Sequence, residues 1–347
     1  MPVTVYFQIP VHITIVSLVI IIPSSTLLTT TNNYFNTIIA YGQTNQTNSN
    51  NVNLLNNQNI PAKKVHVGDI DIAYKTFGKG DPILLFNGAS DSMDAWDPSF
   101  LKSISSNHTV ILFDSRGIGN TTAGSKPYTM RLLANDTAGL MDALKIRKAD
   151  IFGYSLGGET AQQFTISYPE KVNRLILVAA TCGGKDSIPK PPEFKKLQFD
   201  IVNKSLNNVP ISQGEMKSLV SASLGLGWIR LHPESLSVPE NITFHQMKPS
   251  LSPDAMKNQM NAGFAWEATN WNGACDELAK MAKPTLVITG TDDNNYMPYA
   301  NALVIAGKIP GAWLVQIRDA GHAIMDQYPG EIGKILNTFL STTANHG

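Results

Sequence analysis

The amino-acid sequence predicts an α/β fold, with a mostly parallel central sheet covered by helices on both faces and a helical insertion that forms a cap. Three observations lead to this prediction. From Lys63 onward, short strand-like segments alternate with segments of helical periodicity. Most of these strands are apolar throughout, as in a parallel sheet that is covered on both faces. The alternation is interrupted once, over residues 183–270, by a stretch with several prolines and a helical pattern.

The composition fits one globular core with an insertion. The chain has 347 residues, 43% of them hydrophobic, and 27 Lys and Arg residues balance 27 Asp and Glu residues. With no net charge and no basic stripe, a nucleic-acid partner is not expected. The sequence has no cluster of Cys and His with the spacing of a zinc site, so we expect neither a metal nor a cofactor.

The N-terminal part of the chain, residues 1–62, contains no Asp, Glu, Lys or Arg. Its apolar first half predicts a signal peptide or membrane anchor over residues 1–42, with small residues in Ala40-Tyr41-Gly42 placed for cleavage before Gln43. The Asn-rich residues 43–62 predict a disordered linker. The protein is then expected outside the cell or anchored in the membrane facing outward. Because no basic residue precedes the apolar run, a buried N-terminal strand is the alternative.

The two cysteines, Cys182 and Cys275, can form a disulfide if the protein is exported. Two buried free thiols are the alternative. Six Asn-x-Ser/Thr sequences are possible glycosylation sites, and they give only weak support for export because the chain is rich in Asn: Asn45, Asn107, Asn120, Asn135, Asn203 and Asn241.

The folded region begins with a predicted hairpin, whose strands at 64–67 and 71–77 flank Gly68-Asp69. Further strands are predicted, in chain order, at 82–86, 109–113, 149–153, 174–178, 284–289 and 313–317. Helices are predicted at 129–145, where Thr129 can cap the start, after Ser155, and at 299–308 and 329–341. Residues 63–182 and 271–347 therefore form the predicted core, with 183–270 as the cap between them.

Residues Gly153-Tyr154-Ser155-Leu156-Gly157 lie between a predicted strand and a predicted helix. Glycines two positions before and after a serine suit a sharp strand-to-helix turn with strained backbone. Such a turn presents the hydroxyl at a helix N-terminus, whose amides can stabilise a developing oxyanion. The pattern predicts Ser155 as a nucleophile. A glycine-rich turn with a helix-capping serine is the alternative.

A serine nucleophile needs a base, and the base needs an orienting acid. His322 follows the last predicted strand, directly after Gly321, and is the predicted base. The loop after the preceding strand, Gly290-Thr291-Asp292-Asp293, offers two carboxylates. The predicted chain order is then Ser155, acid, His322.

Four motifs in order make the folded region similar to the α/β-hydrolase superfamily: Phe113 to Gly119, Gly153 to Gly157, Gly290 to Asp293, and Gly321-His322. The pattern most resembles the capped esterase, enol-lactonase and cofactor-free haloperoxidase group. The insertion 183–270 lies where this family carries its cap.

The resemblance implies Asp293 as the acid, because the family's acid usually stands three residues after the glycine. Asp292 is the alternative, since the loop before Pro298 is one residue longer than is usual. The resemblance also implies that the backbone N–H groups of Ala89 and Leu156 form the oxyanion hole. The family often has His-Gly before that loop, where this chain has Asn87-Gly88.

The sequence therefore predicts an enzyme, a serine hydrolase that cleaves a small-molecule carboxylic ester or lactone through an acyl-enzyme on Ser155. A carbon–carbon bond hydrolase or perhydrolase with the same triad is the first alternative. A non-catalytic ligand-binding protein on the same fold is an alternative of another class.

Overall fold

The computed structural model describes residues 2–7, 18–21, 59–238 and 252–343. Its strands are β1 Pro2–Phe7, β2 Leu18–Ile21, β3 Lys63–Val67, β4 Ile70–Gly78, β5 Asp81–Phe86, β6 His108–Phe113, β7 Ala149–Tyr154, β8 Val172–Val178, β9 Thr285–Gly290 and β10 Trp313–Ile317. They form one sheet in the order β2-β1-β10-β9-β8-β7-β5-β6-β4-β3.

The centre of the sheet is parallel, as predicted. Strands β10, β9, β8, β7, β5 and β6 pair in parallel with their neighbours. At one edge, β4 pairs antiparallel with β6 and with β3, which confirms the predicted hairpin. At the other edge, β1 pairs antiparallel with β10.

The helices, in chain order, are α1 Pro98–Ser105, α2 Met130–Ala143, α3 Leu156–Ser167, α4 Pro192–Leu206, α5 Gln213–Leu224, α6 Leu226–Leu231, α7 Pro253–Glu267, α8 Cys275–Lys280, α9 Ala300–Lys308, α10 Ile324–Gln327 and α11 Pro329–Thr343. Thr129 caps α2 as predicted, since its side chain accepts a hydrogen bond from the Leu132 N–H. The sequence did not predict α1, which Asp97 caps by accepting from the Ser99 and Phe100 N–H groups.

Helices cover both faces of the sheet. In β5, Leu84 belongs to the core on one face, whereas Ile83 and Leu85 belong to the core on the other. Helices α2, α3 and α9 contribute to the first core, and helices α1 and α11 contribute to the second. Because consecutive side chains of a strand point to opposite faces, a strand covered on both sides has to be apolar throughout.

The predicted cap segment lies between β8 and β9, and the structure describes its residues 183–238 and 252–270. It is helical over α4 to α7 and contains a small core of its own, which includes Ile201, Met216, Val220, Leu224 and Trp228. Residues 239–251, with Met247 and Asn241, lie outside the described residues.

Cys182 and Cys275 form a disulfide, with their Cα atoms 5.5 Å apart. The bond joins the loop after β8 to the start of α8, and the two cysteines are 93 positions apart in the sequence. It therefore ties together the two ends of the chain segment that leaves the sheet and returns to it.

The predicted signal peptide or anchor, residues 1–42, falls on β1, β2 and residues outside the described part. Val5 of β1 stands opposite Val315 of β10, and β1 also pairs with β2. Over the residues that the structure describes, no helix is both long and apolar enough to cross a bilayer. Most of the predicted linker, residues 43–58, also lies outside the described part, so the leader and the linker stay predictions.

Candidate active site

Ser155, Asp293 and His322 lie at the carboxyl edge of the sheet, after β7, β9 and β10. Ligands of such sheets bind beyond this edge, because strand-to-helix loops there leave a crevice. Ser155 and His322 are 9% and 6% exposed, and Asp293 is fully buried. The three predicted residues, 138 and 29 positions apart along the chain, are therefore brought together away from bulk water.

The backbone of Ser155 is strained, with φ of 54° and ψ of −125°. The turn is so tight that a Cβ atom on Gly157 would lie 2.2 Å from the carbonyl oxygen of Phe86. One on Gly153 would lie 2.5 Å from the carbonyl oxygen of Gly157. Both glycines are thus needed for the reason that the sequence suggested, and Ser155 stands at the N-terminus of α3.

A chain of hydrogen bonds joins the three side chains. His322 Nε2 lies 2.9 Å from Ser155 Oγ, and His322 Nδ1 lies 2.6 Å from Asp293 Oδ2. A carboxylate only accepts hydrogen bonds, so Nδ1 carries the proton and Nε2 is left to accept from the hydroxyl. This is the arrangement that a serine nucleophile requires of its base.

The two neighbouring aspartates of the acid loop have different partners. Asp293 faces His322, and its second oxygen accepts from the Met297 N–H at 3.1 Å. Asp292 faces the inserted segment, where its Oδ2 accepts from the Gly227 N–H at 2.6 Å. The geometry therefore places Asp293, and not Asp292, at the imidazole.

Ala89 and Leu156 both line the cavity in front of Ser155. Among the described residues, neither backbone N–H donates a hydrogen bond, so both are available to a ligand oxygen. The loop before Ala89 is supported by Asn87, whose Nδ2 donates to the Ser92 carbonyl at 2.6 Å. Asn87 stands where the resembled family often has a histidine, and its hydrogen bond supports this loop.

Asp114 and Arg116 stabilise the turn after β6. Asp114 accepts from the Met93 and Asn120 N–H groups, at 2.7 and 2.8 Å, and burial raises its pKa. Arg116 forms ion pairs with Asp136 and Asp69. Hydrogen bonding to Arg116 holds the pKa of Asp69 well below its usual range. These roles are structural.

The cavity above Ser155 has a volume of about 400 Å³. Loops of the sheet form its floor, and helices α4, α5 and α7 of the inserted segment form the facing wall. From α7, one stripe of residues lines it: Met256, Met260, Gly263, Phe264 and Glu267. Of the aromatic residues Trp228, Phe264 and Trp266 of the inserted segment, Phe264 lines the cavity. Trp228 packs instead on His232 and Tyr328, and Trp266 donates to the Thr181 carbonyl.

The cavity wall carries more acidic than basic groups. Among the described residues that line it, Lys190 is the one Lys or Arg, and it forms an ion pair with Glu267. Three aspartates also line the cavity: Asp91, Asp97 and Asp326. Next to this ion pair, Glu159 is fully buried, and burial raises its pKa well above the usual range.

Two tyrosines near the imidazole were not predicted. The hydroxyl of Tyr154 donates to the His322 carbonyl at 2.9 Å, and the ring of Tyr296 stacks on the imidazole. Tyr154 lies inside the serine motif and Tyr296 three residues after the acid, so both positions were visible in the sequence. No sequence pattern shows that a ring will face His322, because the contact joins separate loops.

Over the described residues, no group of three or more His, Cys, Asp or Glu is arranged to hold a metal ion.

The chain is similar to a known family and to several known proteins. A family model described as the alpha/beta hydrolase fold matches residues 81–329. A poly(3-hydroxyalkanoate) depolymerase of Ectopseudomonas oleovorans is 29% identical over 260 residues, which cover 75% of this chain and 84% of that protein. A 2-hydroxy-6-oxo-6-phenylhexa-2,4-dienoate hydrolase of Comamonas testosteroni is 24% identical over 279 residues, which cover 79% and 92%. The solved structure of a thermophilic esterase from Thermogutta terrifontis is similar with a TM-score of 0.63 at 25% identity, covering 81% of this chain and 98% of that one.

Proposed function

The chain belongs to the family of the alpha/beta hydrolase fold, and on that premise we propose that it hydrolyses a neutral carboxylic ester or lactone through an acyl-enzyme on Ser155. The family and the named relatives make the protein a hydrolase. The observation that carries the finer proposal is the hydrogen-bond chain from Ser155 through His322 to Asp293 on the floor of a cavity. A protein that only binds its ligand has no need of these hydrogen bonds between Ser155, His322 and Asp293.

The proposed reaction begins when Ser155 Oγ attacks the substrate carbonyl and His322 Nε2 takes the hydroxyl proton. The negative oxygen of the tetrahedral intermediate accepts hydrogen bonds from the Ala89 N–H in the loop after β5 and from the Leu156 N–H at the start of α3. Nε2 then gives the proton to the leaving alcohol, and the ester bond breaks. Water repeats the sequence on the acyl-enzyme and frees Ser155. Asp293 holds the imidazole in the required tautomer throughout.

The charges of the cavity favour a neutral substrate. Lys190 is already paired with Glu267, and the aspartates Asp91, Asp97 and Asp326 line the same space. A substrate carboxylate would have to lose its hydration and would meet more acidic than basic groups. This argues for esters and lactones over the other candidate, hydrolysis of a carbon–carbon bond in an acidic substrate such as the dienoate in the name of the Comamonas testosteroni relative.

The proposal is tested with a panel of p-nitrophenyl esters and lactones of graded length. We expect neutral esters to be hydrolysed at least about tenfold faster, in kcat/KM, than esters of equal length that end in a carboxylate. A fluorophosphonate should label wild-type protein on Ser155. Turnover of the dienoate with no turnover of any ester or lactone would favour the carbon–carbon alternative and overturn the proposal.

Variants of the three side chains test the assigned roles. Ser155→Ala and His322→Ala should lower kcat by about 10⁴ to 10⁶, as in a triad that works as a unit. Ser218→Ala removes an exposed hydroxyl of α5 and is the matched control for Ser155→Ala, with normal turnover and labelling expected. Asp293→Asn should cost about 10³ to 10⁴, because the imidazole can adopt the wrong tautomer. Asp292→Asn should cost far less, and the reverse order of the two variants would show that the acid is wrongly assigned.

A further inference from the structure

The ring of Tyr296 lies against the imidazole of His322. The ring centroids are 4.7 Å apart, and the two planes differ by 11°. The other aromatic neighbour, Tyr154, is farther away and more tilted, at 5.5 Å and 30°. Tyr296 is therefore the closer and better aligned of the two rings that face the imidazole.

The acid loop places Tyr296 there. Asp293 holds the loop in a closed turn, since its carbonyl accepts from the Tyr299 N–H at 2.7 Å and its Oδ1 accepts from the Met297 N–H at 3.1 Å. Tyr296 lies within this turn. The same aspartate thus binds the edge of the imidazole and anchors the loop whose tyrosine covers its face.

Tyr296 also contacts the inserted segment. Phe194 of α4 packs edge-on against it, with centroids 4.6 Å apart and planes at 66°. Phe194 is itself buried at 5% exposure. A continuous contact therefore runs from a helix of the inserted segment through Tyr296 to His322.

We propose that Tyr296 is a positioning residue, which holds the plane of the His322 imidazole and stabilises the imidazolium that forms when Ser155 loses its proton. This proposal rests on the proposed function, because it assigns to His322 the part of the base. The role belongs to the aromatic ring of Tyr296 and not to its hydroxyl. Phe194 supports the ring from the inserted segment.

Two physical effects favour this role. The last torsion of a histidine side chain has broad minima, so the hydrogen bond to Asp293 alone leaves the ring free to rock about Nδ1. A stacked ring restricts that motion and keeps Nε2 in line with Ser155 Oγ, where small displacements cost rate. A cation that develops against the face of an aromatic ring is also attracted by its quadrupole. Both effects act on the chemical step more than on substrate binding.

The kinetic test compares Tyr296→Phe with Tyr296→Leu in the full chain. We expect Tyr296→Phe to keep kcat within about twofold and Tyr296→Leu to lower kcat by about 10- to 100-fold, with KM within about threefold in both. Phe194→Leu should give a smaller loss of kcat in the same direction. Lys196→Leu, which changes an exposed side chain of the same helix, is its control and should leave kcat unchanged.

A second measurement does not depend on turnover. In a Ser155→Ala background, the imidazole proton signals of His322 are identified by NMR from their loss in a further His322→Asn variant. A ring stacked on the imidazole shields these protons. Tyr296→Leu should therefore move the signals downfield, whereas Tyr296→Phe should leave them close to their original position.

The two measurements separate failure of this inference from failure of the proposed function. If no ester or lactone is hydrolysed, the proposed function fails, and the NMR comparison still shows whether Tyr296 holds the imidazole. Equal losses of kcat in the Phe and Leu variants would assign the role to the hydroxyl and overturn the inference. A Leu variant with normal kcat, or with unmoved His322 signals, would also overturn it.

Discussion

Glu159 is a carboxyl group that the proposed mechanism does not use, although it lies one helical turn after Ser155. It is fully buried, and neither carboxyl oxygen has a hydrogen-bond partner among the described residues. Burial raises its pKa well above the usual range, and the carboxylate of Glu267 adds to this effect while Lys190 opposes it. Glu159 is therefore neutral in the folded protein at pH values where it is ionised in the unfolded chain.

This difference makes stability depend on pH. Below the ordinary value of about 4.5, Glu159 is protonated in both states and contributes no pH dependence. As the pH rises above that value, the unfolded chain gains stability by ionising, and the folded protein does not. The folded protein thus loses up to about 1.4 kcal/mol per pH unit until the raised pKa of Glu159 is reached.

Glu159→Gln should remove this loss. We expect the variant to have a melting temperature close to that of wild type near pH 4.5 and an increasing advantage toward pH 8, measured by thermal unfolding across that range. Glu170→Gln, at an exposed carboxylate, shows how much a change of net charge alone contributes. A constant difference between Glu159→Gln and wild type at all pH values would mean that Glu159 ionises in the folded protein much as it does in the unfolded chain.

At the scale of elements, the inserted segment is tied to both loops that carry the imidazole and its acid. The α5–α6 junction donates to Asp292 from the Gly227 N–H. Its Ser223 carbonyl accepts from the Ala323 N–H at 2.9 Å, and its Leu224 carbonyl accepts from the Gln327 side chain at 2.8 Å. Gln327 in turn accepts from the Gly321 N–H. The inserted segment therefore positions the loop that carries His322, and it also lines one side of the cavity.

Helix α7 shapes the cavity from the same segment. Its residues Met256, Met260, Gly263 and Phe264 recur at spacings of three and four, so one stripe of the helix faces the cavity and another faces solvent. Gly263 lies over the serine turn, since a Cβ atom there would be 3.1 Å from Leu156 Cδ1. In the proposed reaction, the side chains beside it are thus placed to contact the acyl chain of the ester.

A larger residue in this stripe should shorten the acyl chains that the enzyme accepts. We expect Met260→Trp to lower kcat/KM for p-nitrophenyl octanoate about tenfold or more relative to wild type, and for the acetate by no more than about threefold. Each methylene that cannot be buried costs about 0.8 kcal/mol, so two are enough for this effect. Lys257→Trp adds the same ring on the exposed side of α7 and should spare both substrates. Equal losses for both esters would place the acyl chain elsewhere.

At the scale of the whole molecule, the core could be read from the sequence because its signals are local. Most of the parallel strands contain a continuous apolar run, as β5, β6 and β8 do, and the turn around Ser155 needs its glycines. The helix α1 also had a local signal, Asp97 before Pro98, that the prediction overlooked. The contacts of Tyr296, Phe194 and Glu159 could not be predicted in this way. They join elements that are far apart in sequence, and no short pattern encodes them.

The disulfide indicates the kind of compartment in which the whole molecule is found. Cys182 and Cys275 are bonded in the structure, and such bonds persist mainly in oxidising compartments. The N-terminal residues 1–62 favour the same conclusion. They carry no charged side chain, and their apolar first half has the composition of a signal peptide or a membrane anchor. We therefore propose that the protein is exported, with residues 1–42 removed as a signal peptide or kept as an anchor. Cleavage before Gln43 would also remove β1 and β2 and leave β10 at the edge of the sheet.

Fractionation of the native host, combined with intact-mass analysis of the recovered protein, tests this proposal. The protein is expected outside the cytoplasm or with the membrane, with Cys182 and Cys275 protected from an alkylating reagent until they are reduced. A chain that begins near Gln43 would show cleavage, and a full-length chain in the membrane fraction would show an anchor. Both outcomes support export, because both place residues 63–343 in an oxidising space where the bond is stable. Full-length protein in the soluble cytosol, with both cysteines open to alkylation, would refute it. The N-terminal strands would then be part of the working enzyme, and the disulfide would not form where the protein acts.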